Sequence, residues 1–231
     1  SLKPSEKMDR MRGDMGGAAA VMGTMLAVGQ LDIPLHVVGL MPATENLPSG
    51  HAYKPGDVIT AMNGKTIEVI NTDAEGRLIL ADALAYAARF EPKAVIDLAT
   101  LTGACVVALG RGMAAGAFCT DEDLLGRLQA ASQTSGERIW HMPLYDEYLA
   151  SLQSLTADLA NTGGRFGGVG TSAMFLKQFA EGYPWAHLDV AGVTFEERPP
   201  SPKLPAYLQR GGTGFGVRLL VQFLRDWDGA A

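Results

Sequence analysis

The chain has 231 residues, 47% of them hydrophobic and 19% charged, with a net charge of −6, which is enough apolar material for one large core or two small ones. Its 19 Lys and Arg against 25 Asp and Glu argue against a general nucleic-acid binder, because affinity for a phosphate backbone is carried by clustered cations. No apolar run reaches about 18 residues, the length needed to cross a bilayer as a helix, so no membrane span or membrane partner is expected. Cys105 and Cys119 each sit in an apolar stretch and read as reduced, buried thiols rather than a disulfide. The opening Ser1-Leu2-Lys3-Pro4-Ser5 carries no signal-peptide pattern, and a cytoplasmic location is the default.

Residues 1–15 are polar and include Lys3, Asp9 and Asp14. Asp14 stands directly before Met15-Gly16-Gly17-Ala18-Ala19-Ala20, where helical character runs to about Val28. It reads equally as a helix cap and as a ligand. The Gly-Gly and Ala run predicts close packing of this helix on a neighbour. Leu35–Leu40 is a short apolar run that suits a strand buried on both faces, with His36 a buried, satisfied histidine. Residues 42–56 hold three prolines and two glycines and read as a loop. Val58–Met62 and Thr66–Ile70 flank Asn63-Gly64, a strong hairpin signal.

The hairpin feeds into Asn71-Thr72-Asp73-Ala74-Glu75-Gly76-Arg77-Leu78. A helix is expected over 78–90, with Leu80, Leu84, Ala87 and Ala88 on its buried side. A buried strand is expected over 93–99, ending in Thr100-Leu101-Thr102-Gly103-Ala104. A helix remnant at 106–110, a strand within 112–120, an amphipathic helix over 121–133 and a shorter helix over 145–152 follow. Residues 161–172 are glycine-rich and lead into a helix over 172–181. They match neither GxGxxG nor GxxxxGK[ST], so a flexible wall or close backbone packing is the better account than a nucleotide site. Trp185–Gly192 reads as a last strand, 197–212 as a proline-rich loop, and 214–227 as a closing helix.

Alternating buried strands and helices predict an α/β fold: a mostly parallel sheet with helices on both faces, in three layers. No repeat, low-complexity tract or linker divides the chain, so 1–231 is expected to be a single domain. Ligands of such sheets sit at the carboxyl ends of strands, which groups Asn71–Arg77, Thr100–Ala104 and Ala191–Thr194.

The chemistry-bearing candidates are Lys3, Asp14, Asp73, Glu75 and Arg77. Asp73 and Glu75 fall on one side of the chain if that segment is extended. Three carboxylates suit one or two hard or borderline divalent cations. A nearby lysine complements a developing oxyanion, and an arginine grips carbonate, phosphate or carboxylate bidentately. The bland alternatives are a surface Asp-x-Glu, an exposed lysine and a salt bridge at a helix start. There is no HExxH, no GxSxG, and no pair of the four histidines at metal spacing. The residues alone support an α/β protein in which a carboxylate metal site competes with those readings.

The ordered set Ser1–Ser5, Met11-Arg12-Gly13-Asp14-Met15-Gly16-Gly17-Ala18-Ala19, NTDAEGRL at 71–78, Ala99-Thr100-Leu101-Thr102-Gly103-Ala104 and Trp185-Ala186-His187-Leu188-Asp189-Val190-Ala191-Gly192 resembles the leucyl (cytosol) aminopeptidase family along essentially the whole chain. The resemblance implies a metal-dependent exopeptidase that releases N-terminal residues, leucine preferred, from peptides with a free N-terminus by a water that two metals activate. It implies Asp14, Asp73 and Glu75 as metal ligands, Lys3 as the group that polarises the scissile carbonyl, and Arg77 as the holder of a bicarbonate. Met11, Thr100, Gly103, Ala191 and Thr194 would line the pocket for the first side chain, and the Leu101 main chain would meet the tetrahedral intermediate. The implied cofactors are two divalent ions, zinc or manganese with magnesium and cobalt as further options, plus bicarbonate. The implied assembly is a homo-hexamer.

In the resembling family a further lysine and a further aspartate, both metal ligands, precede the Ser-Leu-Lys-Pro segment. The expectation is therefore a catalytic domain incomplete at its N-terminal side. Its alternative is a catalytically inactive fragment or homologue that acts through assembly or binding.

Overall fold

The computed structural model describes residues 3, 6, 8–198, 208 and 210–227. Ser1, Leu2, Pro4, Ser5 and most of the proline-rich stretch lie outside the described residues. In chain order a 3-10 helix, Met8–Met15, leads into α1 (Gly16–Val28), then β1 (Val58–Thr60), β2 (Thr66–Glu68), α2 (Gly76–Ala87), β3 (Val95–Ala99), α3 (Gly103–Leu109) and β4 (Ala115–Cys119). After these come α4 (Glu122–Ser135), β5 (Ile139–His141), a 3-10 helix Asp146–Leu152, β6 (Leu159–Ala160), α5 (Gly168–Lys177), β7 (Trp185–Asp189), β8 (Phe195–Glu196), β9 (Gly211–Gly212) and α6 (Val217–Arg225).

The main sheet has the order β3-β7-β4-β5. The β3–β7 and β4–β5 pairings are parallel, and β4 runs antiparallel to β7. A smaller sheet, β1-β2-β6, joins the expected antiparallel hairpin to a parallel strand. Side-chain alternation along the strands splits the core into two layers. Leu98, Ala115, Ala117, Ala186 and Leu188 face α1, α4 and α6. Trp185 faces α2 and α5, and Phe118 faces Cys105 of α3 and Ala173 of α5. The three-layer α/β expectation holds, with one antiparallel pairing inside the main sheet.

Local sequence explains the element ends. Gly64 takes φ +89° in the hairpin turn, the left-handed region that glycine enters without a Cβ clash. Asp121 caps α4 by accepting from Leu124 N at 2.8 Å, and Gly136 ends it in the left-handed conformation. α1 packs on β3 through bare backbone: a Cβ built on Gly17 would fall 2.1 Å from Leu98 O. Both cysteines are free, and burial pushes the Cys105 thiol up to about 12.

Three expectations are corrected. Leu35–Leu40 forms no strand among the described residues, and His36 is exposed rather than buried; the segment runs over α1, where Gly39 faces Met25 and Val21, so alternate side chains reach solvent. Ala88 is exposed, because the helix tightens to 3-10 at Ala88–Phe90 and turns that residue outward. The helix expected from 172 begins earlier, at Gly168.

Candidate metal centre and active site

The site lies where the three grouped stretches meet, at the carboxyl ends of β2, β3 and β7. After β2 the chain makes a turn rather than running extended: Ala74 N donates to Asn71 O at 3.1 Å, and Asp73 N donates to Asn71 Oδ1 at 2.9 Å. The turn, not strand alternation, therefore sets the directions of Asp73 and Glu75. Glu75 sits at the start of α2 with no side-chain cap bond, where a negative charge suits the helix dipole.

Lys3 stands among the acidic candidates. Its Nζ lies 2.9 Å from Asp73 Oδ1 and 3.9 Å from Met11 Sδ. Partial burial lowers its affinity for a proton, but the hydrogen bond and charge of Asp73, with the charges of Asp14 and Glu75, outweigh that and hold it above the ordinary lysine value. One ammonium thus feels all three carboxylates.

Asp14 does not cap α1. The cap position is Met15, without a side-chain cap bond. The Thr100 hydroxyl instead faces Asp14 twice, 2.6 Å from Oδ1 and 2.7 Å from the main-chain oxygen. The carboxylate is thereby tied to the loop after β3. Thr194 packs against the other end of the same segment, since a Cβ on Gly16 would lie 2.6 Å from Thr194 Cβ.

The loop Thr100–Gly103 is fastened again from behind. Thr102 Oγ1 donates to Asp189 Oδ2 at 2.6 Å and accepts from Cys105 N at 3.0 Å, which caps α3. Ala191 N donates to Asp189 Oδ1 at 3.2 Å. Leu101, Gly103 and Ala191 are thus brought to one place through Thr102 and Asp189. A Cβ on Gly103 would meet nothing within 4 Å, so the loop offers open space there.

Arg77 lies behind the turn, 7% exposed. One terminal nitrogen donates to Asn161 O at 2.9 Å, and Nε has no hydrogen-bond partner. Burial pulls this guanidinium down to about 10 despite the charges of Asp189 and Glu75. It stays protonated at neutral pH, as a buried cation with a donor to spare. That combination fits a small planar anion such as bicarbonate.

The donors fit a divalent cation in kind: they are hard, partly exposed carboxylate oxygens, one of which, Asp73 Oδ1, already holds the Lys3 ammonium at 2.9 Å. Among the described residues no three of His, Cys, Asp or Glu stand close enough to form a ready-made metal cluster. Asp14, Asp73 and Glu75 offer carboxylate oxygens but close no cage among the described residues.

Two buried residues escaped the sequence reading. Asp189 is 1% exposed and Asn161 is fully buried. Asp189 had a signal, a polar residue at every second position of an otherwise apolar strand. Asn161 had none beyond its place at the head of the glycine-rich loop.

The model of the cytosol aminopeptidase family, catalytic domain, matches residues 1–221. The chain is 56% identical over 226 residues to the probable cytosol aminopeptidase of Syntrophotalea carbinolica, covering 98% of this chain and 44% of that protein. It is 54% identical to the probable cytosol aminopeptidase of Geobacter sulfurreducens, covering 97% of this chain and 44% of that protein. The chain therefore spans less than half the length of these curated relatives. Among solved structures it is similar to the bottromycin maturation enzyme BotP in complex with Mn, with a TM-score of 0.89 and 42% identity, covering 97% of this chain and 49% of that one.

Proposed function

Because this chain belongs to the cytosol aminopeptidase family, we propose that residues 1–231 form one catalytic domain of a metal-dependent aminopeptidase that releases N-terminal residues, leucine among the preferred ones, from peptides. The observation that carries the reading is the Lys3–Asp73 ion pair at 2.9 Å on the turn that leads to the buried cation Arg77, whose Nε has no hydrogen-bond partner.

Asp14, Asp73 and Glu75 would hold the divalent ions. Manganese is supported by the ion in the similar BotP structure, and zinc, magnesium and cobalt suit the same donors. When bound, such ions supply a water nucleophile at neutral pH and Lewis-acid stabilisation of the tetrahedral oxygen. The chain's own residues do the rest. Lys3, still an ammonium, polarises the scissile carbonyl and meets the negative charge that develops there. Arg77 would hold a bicarbonate, which would supply a base for the proton of the attacking water. The Leu101 main chain, fixed between Thr100 and Thr102, contacts the tetrahedral intermediate. Met11, Thr100, Gly103, Ala191 and Thr194 surround the first side chain, with the open space at Gly103 admitting a branched aliphatic group. Cytoplasmic peptides with a free N-terminus are the substrates in this reading, and a homo-hexamer is the assembly.

The absence of a ready-made cluster of three ligands among the described residues favours a second reading, in which the chain keeps the fold and acts through assembly or binding alone. Hydrolysis of leucine amide by the purified chain, with and without Mn2+, separates the two. The first reading expects Mn2+-dependent turnover that a chelator abolishes and that Glu75→Ala lowers at least about 100-fold. Full turnover in the Glu75→Ala protein overturns the site assignment, and no turnover by the wild-type chain at any Mn2+ concentration leaves the second reading standing.

A further inference from the structure

We propose that Asn161 is a positioning residue that sets the Asn71–Glu75 turn and the Arg77 guanidinium relative to one another; the claim rests on reading that turn as the metal and anion site. Its side-chain Oδ1 accepts from Ile70 N at 2.8 Å and Asn71 N at 3.2 Å. Its Nδ2 donates to Asn71 O at 2.7 Å and Ala74 O at 3.4 Å. Its main-chain oxygen receives the Arg77 bond at 2.9 Å, and its main-chain N–H continues the β2–β6 ladder by donating to Glu68 O at 2.9 Å.

The residue type follows from what surrounds it. All four side-chain partners are backbone groups, so their donor and acceptor senses are fixed. One side of the site needs an acceptor and the other a donor. Only a carboxamide offers an oxygen with two lone pairs and, on a separate atom, two N–H donors. An aspartate would turn an oxygen on two carbonyl oxygens, and an alanine would remove all four bonds. Asn161 itself is fully buried. The turn that carries Asp73 and Glu75 is thus clamped at its entry by Ile70 and Asn71 and at its middle by Ala74. The same residue holds Arg77 two positions beyond Glu75. The short strand β6, paired with β2, ends directly before Asn161 and so brings this amide to the back of the turn.

The test has two parts. In the wild-type chain, amide hydrogen exchange should show Ile70 and Asn71 protected although both lie beyond the last ladder residue of β2, because Asn161 Oδ1 is their acceptor. Exchange of these two amides at free-loop rates overturns the proposal without any variant having to fold. Asn161→Asp and Asn161→Ala should release that protection, and calorimetric titration should show Mn2+ affinity lower by about 10- to 100-fold, as for other residues that orient metal ligands. Where leucine amide is turned over, kcat should fall about 100-fold with a smaller change in KM. Unchanged Mn2+ affinity in a folded variant overturns the proposal. A wild-type chain that binds no Mn2+ overturns the metal reading of the turn instead, and the exchange result still judges Asn161.

Discussion

Asp97 Oδ1 lies 2.6 Å from Nδ1 of His187, across directly paired positions of the parallel strands β3 and β7. Both side chains are buried, and Trp185 Nε1 donates to the second Asp97 oxygen at 2.7 Å. The imidazole is stacked between Phe118 and Trp185, with ring centroids 6.1 and 6.3 Å away. Burial works against the imidazolium, but the charge and hydrogen bond of Asp97, with the charge of Asp189, outweigh it and raise His187 above the ordinary histidine value.

The sign of the pH effect follows. A raised folded-state pKa means the pair's stabilisation is complete below the unfolded value of about 6.5 and is lost as pH climbs through the folded value. Thermal midpoints should therefore fall from about pH 6.5 upward, and Asp97→Asn should lower the midpoint while flattening that slope. Equal slopes for the two proteins between about pH 6 and 9 would remove His187 as the cause.

Thr102 carries two jobs on one hydroxyl, capping α3 and donating to buried Asp189. Thr102→Val removes a cap and takes one donor from the buried Asp189 carboxyl group, which together should cost about 2 to 4 kcal/mol. Thr102→Ser keeps both bonds and should stay within about 1 kcal/mol of wild type. Urea midpoints measure both. A valine variant as stable as the serine variant would show that the hydroxyl bonds carry no net stabilisation.

The hairpin at Asn63-Gly64, the strand 185–189 and the convergence of three loops at strand ends are legible in the sequence because each rests on local pattern. What is not legible depends on distant partners. Asp14 is poised between cap and ligand until Thr100, 86 positions away, claims its carboxylate. β5 and β6 are three and two residues long, too short for any periodicity to register. Asn161 matters through backbone groups 90 and 91 positions earlier and through the Arg77 side chain 84 positions earlier, which no window of sequence reveals. The Asp97–His187 pair sits in two strands whose apolar residues hide it; the trace it leaves is the alternation Trp185, His187, Asp189 on one face of β7.

The small residues opening α1 make the last prediction. Their role is contact, not flexibility, and two glycines of this chain separate the cases. A Cβ at Gly17 would sit 2.1 Å from Leu98 O, 2.8 Å from its carbon and 3.0 Å from Ala99 Cα. These atoms are the backbone of β3, paired along its length with β7, and have no room to yield. Gly17→Ala must therefore push α1 off β3, opening the layer where Ala20 and Leu98 meet, at a cost of about 3 kcal/mol or more. The displaced helix also carries the segment that Thr100 and Thr194 grip, so Asp14 would move with it. Gly126 is exposed in the middle of α4, and a Cβ added there would meet nothing within 4 Å. Gly126→Ala should instead stabilise by about 1 kcal/mol, the ordinary helix preference for alanine. Denaturant midpoints of the two variants should move in opposite directions. A shift of the same sign in both would mean that the glycines of α1 serve chain flexibility rather than the approach of helix to sheet.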